Sequence, residues 1–477
     1  MEKVLQHVKT SVPPALQAPL MTALRAFGLS WGLTTIPGVL SLIIKLYLAV
    51  LRGASPTRLL RQFLFIKLPH LLKASIYQNG FPWLVTGAFA GHRFLAHILH
   101  RWSSLLLQQD RMAYLGDKAC MFLSAATSMV LVRRLFPKTK TMEFTFFTLV
   151  RALDVFAHRA YQSPAISSAV PGWVMEQGSV IVFTLACTEI MFSWFYEPAR
   201  LPRGYSMWIT KMAQMDERLL WALRGIKDGT WVYGKDTGVN DLLGNYCVDI
   251  GLPYAAGVPT RGRIPCRVVH GGQPWGCEVH ALTRFVKGFV KVFLLYFSVH
   301  LTPPLLFKRQ KLAQDPLGSI QHILKASVRS STFLATFITL IWYSICLTRT
   351  RLGHQLFGIQ QKRLDDTLGP LIGSAMCGLS LMIENKHRRG EMALYVVPRA
   401  LFSMTERLIG PWHHRGRWWE PKLAETMETL VFAASVTTVL NAMYKNKDTV
   451  RSSVRGVLGW IMKYELKEDQ DEKKQQA

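Results

Sequence analysis

Cys266-x3-His270-x6-Cys277-x2-His280 gathers two thiols and two imidazoles in one short stretch, flanked by Gly271, Gly272 and Pro274. Thiolate and imidazole are the groups that hold Zn²⁺ tetrahedrally, and a turn-rich stretch lets such side chains converge. The spacing is not that of a standard finger. Two other readings stand beside it: two free thiols, or a Cys266–Cys277 disulfide in an oxidising compartment. Zinc at Cys266, His270, Cys277 and His280 is the single metal candidate, and no organic cofactor is called for.

The second set of chemically interesting residues lies inside apolar stretches. Arg151 and Arg399 occupy matched places, each preceded at the same distance by Glu143 or Glu391. An arginine at mid-bilayer costs at least about 2.5–3.5 kcal/mol on insertion scales, so something must offset it. Asp154 follows Arg151 by three residues, a neighbour on one helix face. One reading makes Arg151, Arg399, Glu143, Glu391 and Asp154 the polar lining of a path for a lipid headgroup or solute. The other makes them register-fixing ion pairs, or arginines that snorkel from shallow helices.

Signatures of catalysis are missing from the sequence. There is no P-loop, GxSxG, HExxH or dinucleotide fingerprint. His92, His97, His100, His413 and His414 do not form the repeated histidine boxes of membrane di-iron oxygenases. The expectation is a protein that is not an enzyme.

The segments that must carry these residues are strongly apolar. The chain has 477 residues, 57 Lys+Arg against 30 Asp+Glu, and a formal charge of +27. That charge suits an anionic surface, whether nucleic acid or membrane. A mean hydropathy of +0.16 favours the membrane and argues against nucleic acid. Spanning helices need roughly 17–25 mostly apolar residues. Candidate windows are Ile36–Leu51, Phe81–Leu99, Lys118–Val132, Glu143–Ala160, Ser179–Tyr196, Phe285–Phe307, Thr332–Leu347, Leu368–Ile383, Met392–Met404 and Met427–Tyr444. Glu143–Ala160 and Met392–Met404 also suit an interfacial position. Gly87-x3-Gly91 and Gly369-x3-Gly373, then Gly378, have the spacing that brings helix backbones together, here within the bundle. Trp412, Trp418 and Trp419 suit an interfacial aromatic belt. Residues 1–30 do not read as a secretory signal, because Glu2 sits in the would-be basic region and Pro13 and Pro14 break the apolar core.

Three blocks recur in order. His70-Leu71-Leu72-Lys73-Ala74-Ser75 matches His322-Ile323-Leu324-Lys325-Ala326-Ser327. Glu143 with Arg151-Ala152-Leu153 and Arg159 matches Glu391 with Arg399-Ala400-Leu401 and Arg407. Arg203-Gly204 with Trp208-Ile209 and Lys211 matches Arg455-Gly456 with Trp460-Ile461 and Lys463. The offsets are 252, 248 and 252 residues, which points to duplication. The expected fold is therefore all-α: a multi-pass transmembrane bundle of two tandem repeats, each of about four to five helices. The expected organisation is a basic N-terminal arm (1–34), a first membrane repeat (35–212), a polar Cys/His linker (213–283), a second membrane repeat (284–464) and a charged tail (465–477).

Leu368–Leu401, LGPLIGSAMCGLSLMIENKHRRGEMALYVVPRAL, resembles the transmembrane protein 135 family in its small-residue-rich helix, short polar turn and continuing helix. Pro265–Phe289 is similar to that family's cysteine-containing segment, with fewer cysteines than the animal members. The glycine-rich paired helices are more remotely similar to the mitochondrial inner-membrane import-translocase superfamily. The resemblance implies a multi-pass protein of the peroxisomal or mitochondrial membrane, linked to lipid metabolism and organelle dynamics. It implies no defined enzyme activity and supplies no catalytic residue.

The functional expectation is a non-enzymatic organelle membrane protein involved in lipid or solute movement, with membrane lipids as partners and no nucleic acid. The alternative is a translocase-like or scaffold component that docks protein partners through its basic loops.

Overall fold

Every apolar window of the sequence falls inside a helix. The structure is a computed structural model and describes residues 13–51, 55–103, 110–213, 215–307, 309–413 and 420–463. Among the described residues no strand occurs. The main helices are α1 (Pro14–Leu51), α2 (Leu68–Tyr77), α3 (Phe81–Ser103), α4 (Asp110–Leu135), α5 (Thr141–Gln162), α6 (Gly172–Tyr196), α7 (Arg203–Ala213) and α8 (Glu217–Asp228). They continue as α9 (Asn240–Asp249), α10 (Cys266–Val269), α11 (Cys277–Phe307), α12 (Pro316–Leu347), α13 (Gly369–Met376), α14 (Lys386–His413), α15 (Glu420–Lys445) and α16 (Ser452–Ile461). α1 begins at Pro14, within the segment expected as an arm, because Ala15–Thr35 is already apolar and helix-forming. The charged tail 465–477, with His414, Trp418 and Trp419, lies outside the described residues.

Four helical stretches among the described residues are long and apolar enough to cross a membrane: Gly172–Tyr196, Pro316–Gly353, Gln361–Ile383 and Lys422–Lys445. They are compatible with an integral membrane protein. At 1.5 Å per residue, each reaches across a hydrocarbon core of about 30 Å.

By contact the chain forms two units, 1–170 with 415–477, and 171–414. This cut differs from the sequence halves. α6 and α7, which end the first half, belong with the second unit; α15 and α16, which end the second half, belong with the first.

In the first unit α3 packs on α1 and α4, and α15 packs on α4 and α5. Its core includes Leu84, Met129, Val155, Phe432, Leu440 and Met443. Small residues let helix backbones approach closely. The glycines do this. A Cβ on Gly87 would lie 2.2 Å from Ser128 Oγ, and one on Gly91 would lie 2.9 Å from Ser124 Oγ. Ser124 Oγ donates to the Gly87 carbonyl at 2.8 Å, a bond that only this close approach permits.

In the second unit α11 packs along α12, α6 packs on α14, and the stretch 369–383 packs against both α12 and α6. Phe183, Trp194, Phe195, Phe333, Trp342 and Leu381 fill this core. A Cβ on Gly378 would lie 2.5 Å from the Thr184 backbone Cα, and one on Gly373 would lie 2.8 Å from the Ile341 carbonyl. The glycines singled out in the sequence therefore pack within the bundle.

The segment between α7 and α11 builds a small core of its own from Leu219, Ile226, Trp231, Leu243, Cys247 and Val268. Asp216 caps α8 by accepting the Arg218 N–H at 2.9 Å, and Gly229 ends it at φ 80°.

Candidate metal centre

α11 and α12 pack side by side, and the start of one meets the end of the other. Cys277 is the first residue of α11; Cys346 is the penultimate residue of α12. The short helix α10 then brings Cys266 and His270 to the same place. Its chain reverses through Gly271 (φ 67°) and Gly272 (φ 80°). Only glycine fits the second position, since a Cβ there would lie 2.4 Å from the Ile250 carbonyl oxygen.

His270, Cys277 and Cys346 present ligand atoms that all lie within 4.8 Å of one another. His270 Nε2 and Cys346 Sγ are 3.5 Å apart. Nitrogen at about 2.05 Å and sulfur at about 2.3 Å from one tetrahedral zinc would be separated by about 3.5 Å. Cys266 neighbours Cys277 closely enough to act on its thiol, but its sulfur is not one of the three converging ligand atoms. All seven cysteines are thiols. Burial pushes the Cys277 thiol up, and neighbouring Cys266 adds to the shift. Burial holds His270 below the ordinary imidazole range, and a backbone hydrogen bond at Trp275 opposes that shift. A neutral imidazole is the form that ligates a metal, and a backbone partner on the ring is what orients such a ligand.

His280 is close but not part of the set. Its ring stacks on His270 with centroids 4.1 Å apart. Its Nε2 accepts from Arg284 Nε at 2.8 Å, which places its proton on Nδ1, 3.3 Å from Gln273 Oε1. Both nitrogens are thus engaged. Of the residues expected from the sequence, the structure brings together His270 and Cys277, adds Cys346 to them, and leaves Cys266 and His280 outside the three. Nothing local to Cys346 signals this; it is a lone cysteine in an apolar helix.

A buried ion-pair cluster lies beside these thiols. Asp365, 2% exposed, accepts from Arg349 Nε and Nη2, from Tyr233 Oη at 2.7 Å, and faces Arg263 Nε at 3.3 Å. Arg349 Nη2 also donates to the Ile264 carbonyl, and Arg263 Nη2 donates to the Arg349 carbonyl. Tyr233, Arg263 and Ile264 come from the segment after α8; Arg349 and Asp365 come from the ends of apolar helices. Thiol cluster and ion-pair cluster together fasten the segment 217–276 to α11, α12 and the stretch 361–383. Sequence reasoning did not find Arg349 or Asp365.

Several charged residues inside the other helices also find partners. Asp154 does not pair with Arg151. It takes a two-pronged contact from Arg451, Nη2–Oδ1 2.8 Å and Nε–Oδ2 3.0 Å, and His158 lies 3.6 Å away. Arg151 lies over the Phe147 ring at 5.2 Å. Arg399 sits over the Tyr395 and Tyr205 rings at 3.9 and 5.0 Å and donates to the Tyr395 carbonyl. Arg151 and Arg399 fall in different units. Glu143 is exposed in the first turn of α5; Glu391 is half-buried in α14. In α6, Glu189 pairs with Arg407 at 3.0 Å and accepts from Ser403 at 2.9 Å.

No family model, no curated protein and no solved structure matches the chain.

Proposed function

We propose that the chain is a non-enzymatic, multi-pass organelle membrane protein that moves lipid or solute, and that a zinc ion clamps its extramembrane segment to its membrane helices. The observation that carries the zinc reading is the convergence of His270, Cys277 and Cys346 from three separate elements, with Cys266 alongside. Bound there, zinc would cross-link the three elements, and with Cys266 recruited as a fourth ligand its coordination sphere would be closed, as in structural sites.

The movement of lipid or solute is supported by the apolar helices with internally paired charges, by the +27 charge and by the resemblance to the transmembrane protein 135 family. That resemblance is also what supports the peroxisomal or mitochondrial membrane. The two-repeat architecture is supported by the order of elements. α5, α6, the turn Pro198–Arg200 and α7 are followed in kind by α14, α15, the turn Lys447–Thr449 and α16. The packing is reciprocal as well: α6 packs on α14 and α15 packs on α5. On this reading the two repeats exchange their last helices.

The test has two arms. The purified chain is reconstituted in vesicles and the transfer of fluorescent lipid is measured, with a tagged copy located by fluorescence. Metal analysis of the same preparation reads zinc. No transfer of lipid or solute above protein-free vesicles refutes the first part; absence of stoichiometric zinc refutes the second.

A further inference from the structure

In the first unit, α1, α2 and the turn joining α4 to α5 enclose an open cavity of about 940 Å³. Its floor is apolar, formed by Leu42 of α1, Leu71 of α2 and Phe144 of α5. Gly38 keeps α1 close to α2 here, since a Cβ would lie 2.8 Å from Leu71 Cδ1. The rim is cationic: Lys67, His70, Lys138 and Lys140, with Glu143 as its carboxylate. All five are exposed, and none makes an ion pair with another described residue.

The smaller polar groups of the lining are already used by the fold. Thr139 Oγ1 accepts the Gly80 N–H, Asn79 Oδ1 accepts the Phe81 N–H, and Ser75 Oγ accepts from Trp31 Nε1. What remains uncommitted along the lining is three ammonium groups and one carboxylate, beside apolar side chains. Like charges gathered this way repel one another until an anion enters. The volume is at the upper end of the range for small-molecule pockets, roughly 300–1,000 Å³. The lysines of the 136–140 turn lie at helix ends, where a chain in a bilayer meets headgroups.

We propose that this cavity holds the phosphate headgroup of a phospholipid together with the first part of an acyl chain. Lys67, Lys138 and Lys140 grip the phosphate, and Leu42, Leu71 and Phe144 receive the chain. The proposal names the lipid class for the movement proposed above, and rests on that reading for its use but not for the binding itself.

The experiment uses the full chain in detergent micelles with a fluorescent phosphatidate as probe. Binding is expected to saturate and to resist displacement by inorganic phosphate. The combined variant Lys67→Gln, Lys138→Gln, Lys140→Gln should weaken it at least about tenfold. Leu71→Trp, which fills the floor without changing charge, should do the same. The combined Lys→Arg variant should bind like the unaltered protein, which shows that the fold tolerates change at these positions. Full displacement by inorganic phosphate overturns the proposal in favour of a free-anion site. A loss in the glutamine variant with none in Leu71→Trp overturns it in favour of general attraction to anionic surfaces. Loss in the arginine variant overturns the assigned role of charge. Vesicle transfer separates the two readings: transfer that survives in the glutamine and Leu71→Trp variants removes this site and leaves lipid movement standing. Saturable, variant-sensitive binding without any transfer supports the site and removes the movement.

Discussion

His270 Nε2 and Cys346 Sγ lie 3.5 Å apart although 76 residues separate them in the chain. One comes from the turn after α10 and the other from the end of α12. Their contact joins the 217–276 segment to a helix long and apolar enough to span a bilayer.

If this contact is half of a zinc site, Cys346→Ser and Cys277→Ser should each lower zinc content well below one per chain. His280→Gln should leave zinc in place, because the His280 nitrogens already serve Arg284 and Gln273. Metal analysis of the three purified variants checks this. Zinc lost from His280→Gln and kept in Cys346→Ser would return the site to the sequence-expected set.

Asp365 faces Arg349 and Arg263 where almost no water reaches. Asp365→Asn leaves the buried Arg349 guanidinium and the half-buried Arg263 guanidinium without their carboxylate. Breaking such a pair from one side costs about 3–5 kcal/mol. Limited proteolysis should then cut within 217–276 much faster than in the unaltered chain. Unchanged proteolysis would mean that the cluster contributes little to holding the segment.

The partner of Asp154 is Arg451, so Arg451→Ala should lower protein abundance more than Arg399→Ala. The first strands a carboxylate that is only 8% exposed. The second removes ring contacts worth about 0.5–2 kcal/mol. Asp154→Asn added to Arg451→Ala should restore part of the lost abundance. Equal abundance in the two single arginine variants would argue against this assignment.

Gly378 lies where the 377–383 turn meets α6. Gly378→Ala would force a methyl against the Thr184 backbone, which cannot rotate away as a side chain would. Overpacking of this kind typically costs about 1–3 kcal/mol. Thermal unfolding in detergent should begin at lower temperature. Gly204→Ala, with open space around its Cβ position, is the matched control and should be near neutral.

Helices could be read from the sequence because their cause is local. Ser179–Tyr196 and Met427–Tyr444 are apolar for long enough to favour a helix, which satisfies every backbone group within one segment. His270 and Cys277 were legible for the same reason, since a few turn-forming residues suffice to bring them together. Cys346 was not legible, nor was the pairing of Asp154 with Arg451 across 297 residues or of Glu189 with Arg407. Asp154 has an arginine three residues before it, and helical spacing alone points to that one. Which arginine reaches the carboxylate depends on which helices lie side by side. That choice is made by shape, through the glycines that admit a neighbouring backbone and the large side chains that fill the remaining space. The amino-acid sequence by itself determined the helices, the charge and the local thiol–imidazole cluster. The tertiary structure decided that Cys346 joins His270 and Cys277, and it decided the partners of Asp154 and Glu189, because those depend on contacts between segments far apart in the chain.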